Sequence, residues 1–161
     1  MTKSVSWTMI LAALIATLGF GSSASAQTNN EIVRVTKQAI RATVERTQAS
    51  IRNVTENTSR AMVEAKRNGA SNDEIRQIAA RGLNTIRTRA AEGVQSVNDR
   101  AQRGIAALTP PAPAETRAIR DAANDAIRAI HASADQGRDR ISALARQLTR
   151  PTGGGGGSGG N

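Results

Sequence analysis

Apolar residues recur every eleven positions over most of this chain, and this interval constrains its fold more than any other feature. Eleven residues make about three turns of α-helix, so residues at this spacing lie along one line on a helix surface. In the middle third, two of the columns so formed are apolar, one is alanine and one is glycine. Their members are Ile75, Ile86, Val97 and Leu108; Leu83, Val94 and Ile105; Ala79, Ala90 and Ala101; and Gly82, Gly93 and Gly104.

The same interval continues on both sides of the middle third. The first third has Ile40, Ile51 and Met62 beside Thr36, Thr47 and Thr58, and the last has Ile119, Ile130 and Ile141 beside Ala123, Ala134 and Ala145. The columns predict one apolar face on each helix. The residues assigned to it in the second and third helices, termed the packing stripe, are Ile75, Ala79, Gly82, Leu83, Ile86, Ala90, Gly93, Val94, Val97, Ala101, Gly104, Ile105, Leu108, Ile119, Ala123, Ile130, Ala134 and Ile141.

Glycine within a helix lowers its stability by about 1 kcal/mol relative to alanine. Glycines repeated at stripe positions therefore predict that another helix approaches closely there. The alternative is that they are neutral drift in a loosely folded chain.

Capping patterns divide the chain into three predicted helices. Thr28 with Glu31, and Ser71 with Glu74, have capping-box spacing, and Pro113 suits a first helical position. The helices are predicted at about 29–67, 72–108 and 113–149. Asn68-Gly69 supplies a stop after the first, and the proline-rich segment 109–113 separates the other two.

These patterns predict an all-α fold of three long antiparallel amphipathic helices built on the 11-residue repeat. Short connections and matched lengths favour an up-down-up bundle. An extended, coiled-coil-like hairpin that forms a bundle only by oligomerising is the alternative.

The two ends of the chain are read separately. Lys3, the apolar stretch Trp7–Phe20 and the small residues Ala24-Ser25-Ala26 together indicate a cleaved secretory signal peptide at 1–26. The helical domain then spans 27–150, and the protein is expected in the periplasm or secreted. Residues 151–161 are rich in glycine and predict a flexible tail.

Composition limits what such a domain can do. Both aromatic residues, Trp7 and Phe20, lie in the predicted leader, and the chain contains no cysteine. The formal net charge is +9, which suggests anionic partners such as lipid or polysaccharide. Nucleic acid is an unlikely partner for an exported chain that lacks aromatic side chains for base stacking.

Residues able to support catalysis are sparse. His131 is the single histidine, with no cysteine to complete a metal site. The carboxylates of Asp121 with Asp125 and of Asp135 with Asp139 have helical spacing, but nearby arginines favour ion pairs along the helix. The sequence therefore predicts no enzyme activity, no cofactor and no metal.

Two protein classes share parts of the pattern. The repeat, with its alanine and glycine, resembles those of apolipoproteins and late-embryogenesis-abundant proteins, and the Thr36, Thr47, Thr58 column is similar in spacing to that of helical antifreeze proteins. The high arginine content departs from the pattern of helical antifreeze proteins. The scarcity of lysine departs from the pattern of late-embryogenesis-abundant proteins. No residue role is carried over.

The favoured interpretation is an exported, non-catalytic structural or interaction protein that self-associates or binds another envelope protein. The first alternative is a basic amphipathic binder of anionic membrane or polymer surfaces. A further alternative is a chaperone-like or stress-protective protein of the periplasm.

Overall fold

A computed structural model describes residues 22–150, with side chains from Gln27 onward, as three α-helices. They are α1 (Ser22–Arg67), α2 (Asn72–Ala106) and α3 (Pro113–Leu148), and each packs against the other two. No strand occurs within 22–150. The glycine-rich tail and most of the predicted leader lie outside the described residues.

The start of α1 differs from the prediction. Helical backbone is already present at Ser22, the first described residue, and not only from Asn29, so Thr28 and Glu31 lie inside the helix rather than at a cap. The serines and alanines upstream contain no glycine or proline that would end a helix there. Asn29 is used in a tertiary contact instead, as described below.

The connection between α1 and α2 is formed by two local motifs. Gly69 has φ +79°, and Ala70 N–H donates to the carbonyl of Ala65 at 2.9 Å, which closes the end of α1. Ser71 then caps α2: its hydroxyl accepts from the Glu74 amide, while the Glu74 carboxylate accepts from the Ser71 amide at 2.7 Å. This is the capping box that the sequence spacing indicates.

The centre of the bundle consists of nine side chains that are almost completely excluded from solvent. Each helix contributes three, spaced eleven residues apart. They are Ile40, Ile51 and Met62; Ile75, Ile86 and Val97; and Ile119, Ile130 and Ile141. These nine central side chains are all apolar.

Helix α1 differs from the other two helices because threonines occupy much of its buried face. Thr36, Thr43, Thr47, Thr55 and Thr58 are all buried. The hydroxyls of Thr43, Thr47 and Thr55 donate to the backbone carbonyl four residues earlier, at 3.0, 2.9 and 2.8 Å. Since those hydroxyls are satisfied within their own helix, the threonines can serve as β-branched packing residues.

Within residues 22–150, no helix has the length and apolar character needed to cross a membrane.

Candidate functional site

Three glycines of α2 each lie directly against a threonine of α1. Gly82 meets Thr58, Gly93 meets Thr47 and Gly104 meets Thr36. A Cβ built on Gly93 would lie 2.5 Å from Cγ2 and 2.6 Å from Oγ1 of Thr47. There is no room for a methyl group there, so the backbone of α2 approaches α1 closely at each of these points.

A fourth glycine marks the contact between α1 and α3. A Cβ on Gly137 would lie 2.7 Å from Oγ1 of Thr55, 3.1 Å from Cδ1 of Ile86 and 3.4 Å from Cγ2 of Ile51. Residues of all three helices therefore meet around Gly137. Thr55 lies outside the Thr36, Thr47, Thr58 column, and the repeat gave no indication of its role.

Residues of the packing stripe lie at the contacts between helices, where most are buried and three are partly buried. The buried members are Ile75, Ala79, Gly82, Ile86, Ala90, Gly93, Val97, Ala101, Gly104, Leu108, Ile119, Ala123, Ile130, Ala134 and Ile141. Leu83, Val94 and Ile105 are only partly buried and pack against the edge of this cluster. Leu108 is buried although α2 ends two residues before it, at Ala106.

Asn29 of α1 hydrogen-bonds to Thr109, which lies in the segment between α2 and α3. Asn29 is 5 % exposed. Its Oδ1 accepts from the amide of Thr109 at 3.0 Å, and its Nδ2 donates to the carbonyl of Thr109 at 3.1 Å. One amide side chain thus satisfies both backbone groups of a residue 80 positions away. Sequence reasoning missed this contact, because an asparagine near a helix start is more simply read as a local cap.

The groups considered for catalysis lie on the solvent-facing surface. His131 is exposed, and the described part of the chain holds no group of three metal-ligating side chains. Asp125 pairs with Arg128, and Asp135 pairs with Arg138 at 3.4 Å. Asp125 and Asp135 therefore take part in ion pairs along α3.

The outer surface is rich in arginine and poor in exposed apolar groups. Among the residues that the structure describes, five ion pairs join arginines to carboxylates three residues away on the same helix, and in every one both side chains are at least 45 % exposed. Val35, at 40 %, is the single exposed large hydrophobic residue in the described range. Exposed ion pairs of this kind contribute little to stability.

Shallow concavities on this surface include one on α2 and one at the start of α3. One, of about 390 Å³, lies along the outer face of α2 between Arg81 and Glu92. The other, of about 650 Å³, lies at the start of α3 and includes Pro111, Thr116 and Arg120. Both are open to solvent and lined largely by polar side chains, unlike the enclosed apolar pockets typical of small-molecule sites.

Arg100 of α2 differs from the other arginines. It is half-buried, and its Nε is covered by protein with no hydrogen-bond partner. Burial lowers the pKa of this guanidinium from its ordinary value, and repulsion from Arg103 and Arg46 lowers it further. Arginine nevertheless stays protonated in proteins, so Arg100 is a partly desolvated cation beside two others.

Comparison with protein-family models, curated proteins and solved structures finds no match to this chain.

Proposed function

We propose that this chain is an exported, non-catalytic helical protein of the cell envelope or extracellular space, with a structural or interaction role. Its working form is a closed up-down-up bundle of antiparallel helices built on the 11-residue repeat. The observation that carries the proposal is the close seating of α2 glycines on α1 threonines. Such contacts use the apolar faces within one chain and leave a polar, arginine-rich exterior for partners.

The directions of the helices are supported by the residue pairs in contact. From Gly82 to Gly104 along α2, the facing threonine moves back along α1 from Thr58 to Thr36. Contacts between α1 and α3 instead advance together, from Gln48 with Ala129 to Thr55 with Gly137. The two patterns fit an α2 that runs opposite to both neighbours.

The closed bundle can be tested with spin labels, since the described residues contain no cysteine and the sequence has none elsewhere. Cysteines replacing the exposed residues Arg52 and Ala132 would label α1 and α3 at neighbouring heights. Packed helices lie about 8–10 Å apart between axes. We expect one short label-to-label distance in a monomer, as identified by sedimentation. A long distance in the monomer that shortens only on oligomerisation would replace the bundle with the extended hairpin.

Self-association, or binding to another envelope protein, is the partner interaction proposed here. With Val35 as the one large exposed hydrophobic residue in 27–150, such contacts would be made mainly by polar and charged groups. A complex of this kind should weaken as salt screens exposed charges. Sedimentation of the purified protein over a range of salt and protein concentrations measures this directly.

A basic binder of anionic membrane or polymer surfaces is the second candidate, favoured by the net charge of +9. In the form in which the helices open onto a surface, the buried Ile and Ala faces would have to leave the core. Co-sedimentation with anionic and with neutral vesicles, at low and high salt, tests the binding. The same spin-label pair, measured on the vesicles, tests whether the helices separate. Equal binding to both kinds of vesicle, or binding to neither, rejects this candidate.

A chaperone-like or stress-protective role remains a third proposal, based on the small, aromatic-free character of the helical region. An assay of client aggregation tests it. Failure to suppress aggregation at several-fold molar excess counts against it.

A further inference from the structure

We infer that Asn68, which precedes Gly69 in the connection between α1 and α2, is a site of intramolecular deamidation that loosens this connection. The inference does not depend on the proposed function, because it follows from the chemistry and the geometry of one turn.

The first support is the surroundings of the two residues. Asn68 and Gly69 lie in the turn after α1, and both are exposed. A side chain added to Gly69 would have no atom within 4 Å, so the space beside the turn is open. The side-chain amide of Asn68 makes no hydrogen bond or ion pair with the described part of the chain. This amide can therefore rotate toward the backbone nitrogen of Gly69.

The reaction needs no partner except water. The Gly69 amide nitrogen gives its proton to solvent and attacks Cγ of Asn68. A bond between that nitrogen and Cγ forms and the bond from Cγ to Nδ2 breaks, so ammonia leaves and a cyclic succinimide remains. Water then opens the ring. Attack at Cγ gives aspartate, and attack at the backbone carbonyl gives isoaspartate, in which the main chain runs through Cβ and Cγ.

The second support is that Asn68 differs from every other asparagine of the described residues. The others all lie within helices, and each precedes a residue whose Cβ crowds the attack. They are Asn29, Asn30, Asn53, Asn57, Asn72, Asn84, Asn98 and Asn124. Asn68 alone combines a non-helical position with a following glycine, which has no Cβ.

The closing turn of α1 sets how fast the reaction proceeds. The Gly69 N–H donates to the carbonyl of Lys66 at 3.2 Å, and this bond must open before the nitrogen attacks. The ends of helices open at a much lower free energy than the core of a domain. Fraying of one turn therefore suffices, and the bundle does not have to unfold.

The isoaspartate product disturbs the end of α1. It adds one carbon to the main chain, while the bond from the Ala70 N–H to the Ala65 carbonyl at 2.9 Å requires the original spacing. Either product also places a carboxylate at the negative end of the helix dipole. Lys66 and Arg67 offset part of that charge, so the longer main chain has the larger effect.

The test follows the full chain by peptide mapping during incubation at neutral and at mildly alkaline pH, below the midpoint of thermal unfolding. The peptide that contains Asn68 should gain the mass difference between a carboxylate and an amide, in two separable isomers. The rate should rise with hydroxide concentration, because the deprotonated amide is the nucleophile. No gain at Asn68, or an equal rate at the helical asparagines, overturns the site.

Gly69→Ala tests attack by the Gly69 amide. Alanine is strained at the φ of +79° found here and so favours opening of the turn, but its Cβ crowds the attack. We expect deamidation to become several-fold slower. An equal or faster rate in Gly69→Ala would overturn the mechanism.

Thr85→Gly is the matched control for the position. It creates an exposed asparagine–glycine pair at Asn84, within α2. Because the interior of a helix opens less readily than its end, Asn84 should react several-fold more slowly than Asn68 in the same molecule. Equal rates would mean that the turn contributes nothing, which overturns the assignment to this connection.

The effect on the connection is measured on the purified isoaspartate form. Its reference is Asn68→Asp, which carries the same charge on an unaltered main chain. The Ala70 amide should exchange its hydrogen several-fold faster in the isoaspartate form, because the bond to Ala65 is lost. Equal exchange in the two proteins would overturn the loosening of the connection.

Discussion

At the scale of single residues, the packing of α1 on α2 depends on glycines that leave room for threonine side chains. The Cβ atoms of Thr58, Thr47 and Thr36 would lie 2.9, 3.1 and 3.0 Å from a Cβ built on the facing glycine. Rotation of the threonine side chain does not relieve this contact, because its Cβ and both atoms bonded to it, Oγ1 and Cγ2, lie close to the added Cβ. A larger residue must therefore move a backbone.

Gly93→Ala should destabilise the protein even though alanine is the better helix former. Helix propensity predicts a gain of about 1 kcal/mol, whereas overpacking a tight contact costs typically 1–3 kcal/mol. We expect a net loss, and a larger one for Gly93→Leu, measured as a lower midpoint in thermal or urea unfolding.

Gly137→Ala is the matched control for Gly93→Ala. A Cβ at Gly137 would meet one threonine atom closely, Oγ1 of Thr55 at 2.7 Å, whereas at Gly93 it meets Cγ2 and Oγ1 of Thr47 at 2.5 and 2.6 Å. The next neighbour of Gly137, Cδ1 of Ile86, ends a flexible side chain that can shift, so the loss should be smaller. A raised melting temperature for Gly93→Ala would mean that the glycine face of α2 is not seated on α1.

Asn29→Ala should lower the free energy of unfolding by about 1–3 kcal/mol, since it removes two hydrogen bonds from a buried position. The neighbouring exposed residue gives a matched control, Asn30→Ala, for which little change is expected. Urea unfolding of both variants measures the difference. Equal effects at the two positions would contradict a specific tie between α1 and Thr109.

At the scale of the elements, the bounds of α2 and α3 were largely predictable from sequence and the start of α1 was not. Ser71 with Glu74, and Pro113, are strong local signals, and helices begin next to them. Upstream of Asn29 the residues are small or polar with no breaker, so the helix extends back to Ser22. A helix end can be predicted from local sequence only where residues such as glycine, proline or a capping serine favour a non-helical backbone.

Ser71→Ala should destabilise the protein by about 1 kcal/mol, because the first turn of α2 loses its side-chain cap. Thr88→Ala, at an exposed position within α2, serves as the control and should have little effect. Thermal unfolding measures both. A Ser71→Ala protein as stable as the control would show that this cap contributes nothing.

The cap should also make stability depend on pH. Hydrogen bonds from the Ser71 amide and hydroxyl hold the pKa of Glu74 below its ordinary value of 4.5. Because the folded-state pKa is depressed, this contribution is present above about pH 4.5 and is lost as the pH falls through the folded-state pKa.

The stability difference between the unmodified protein and Glu74→Gln should therefore shrink on acidification. Melting temperatures of the two proteins between about pH 6 and pH 3 measure it. A difference that stays constant over this range would contradict a Glu74 carboxylate held in its charged form.

At the scale of the whole molecule, export is a prediction from the first 26 residues, and processing provides a direct test. Expressed in a Gram-negative host, the protein should be recovered outside the cytoplasm with Gln27 as its first residue, as measured by intact mass. Ala26→Phe should retain the leader, because the peptidase requires a small residue there.

Ser25→Phe is the control for the processing experiment, since the intermediate position tolerates any side chain. It should still be cleaved. Recovery of the unmodified protein in the cytoplasm with its leader intact would remove the localisation on which the proposed function rests.

The sequence by itself predicted the three helices, the apolar faces of α2 and α3, and close contacts at the glycines of α2. These follow from periodicity, because a column at 11-residue spacing occupies one line on any helix. Burial of Ile75, Ile86 and Val97, and of Ile119, Ile130 and Ile141, agrees with that reasoning.

Tertiary structure alone decided which faces meet and which polar groups are buried. A closed bundle and an oligomerising hairpin cover the same apolar stripe, so periodicity cannot distinguish them; the pairing of Gly93 with Thr47 is a property of three-dimensional register. The same holds for Asn29 on Thr109 and for the half-buried Arg100, since contacts between residues distant in sequence leave no periodic trace.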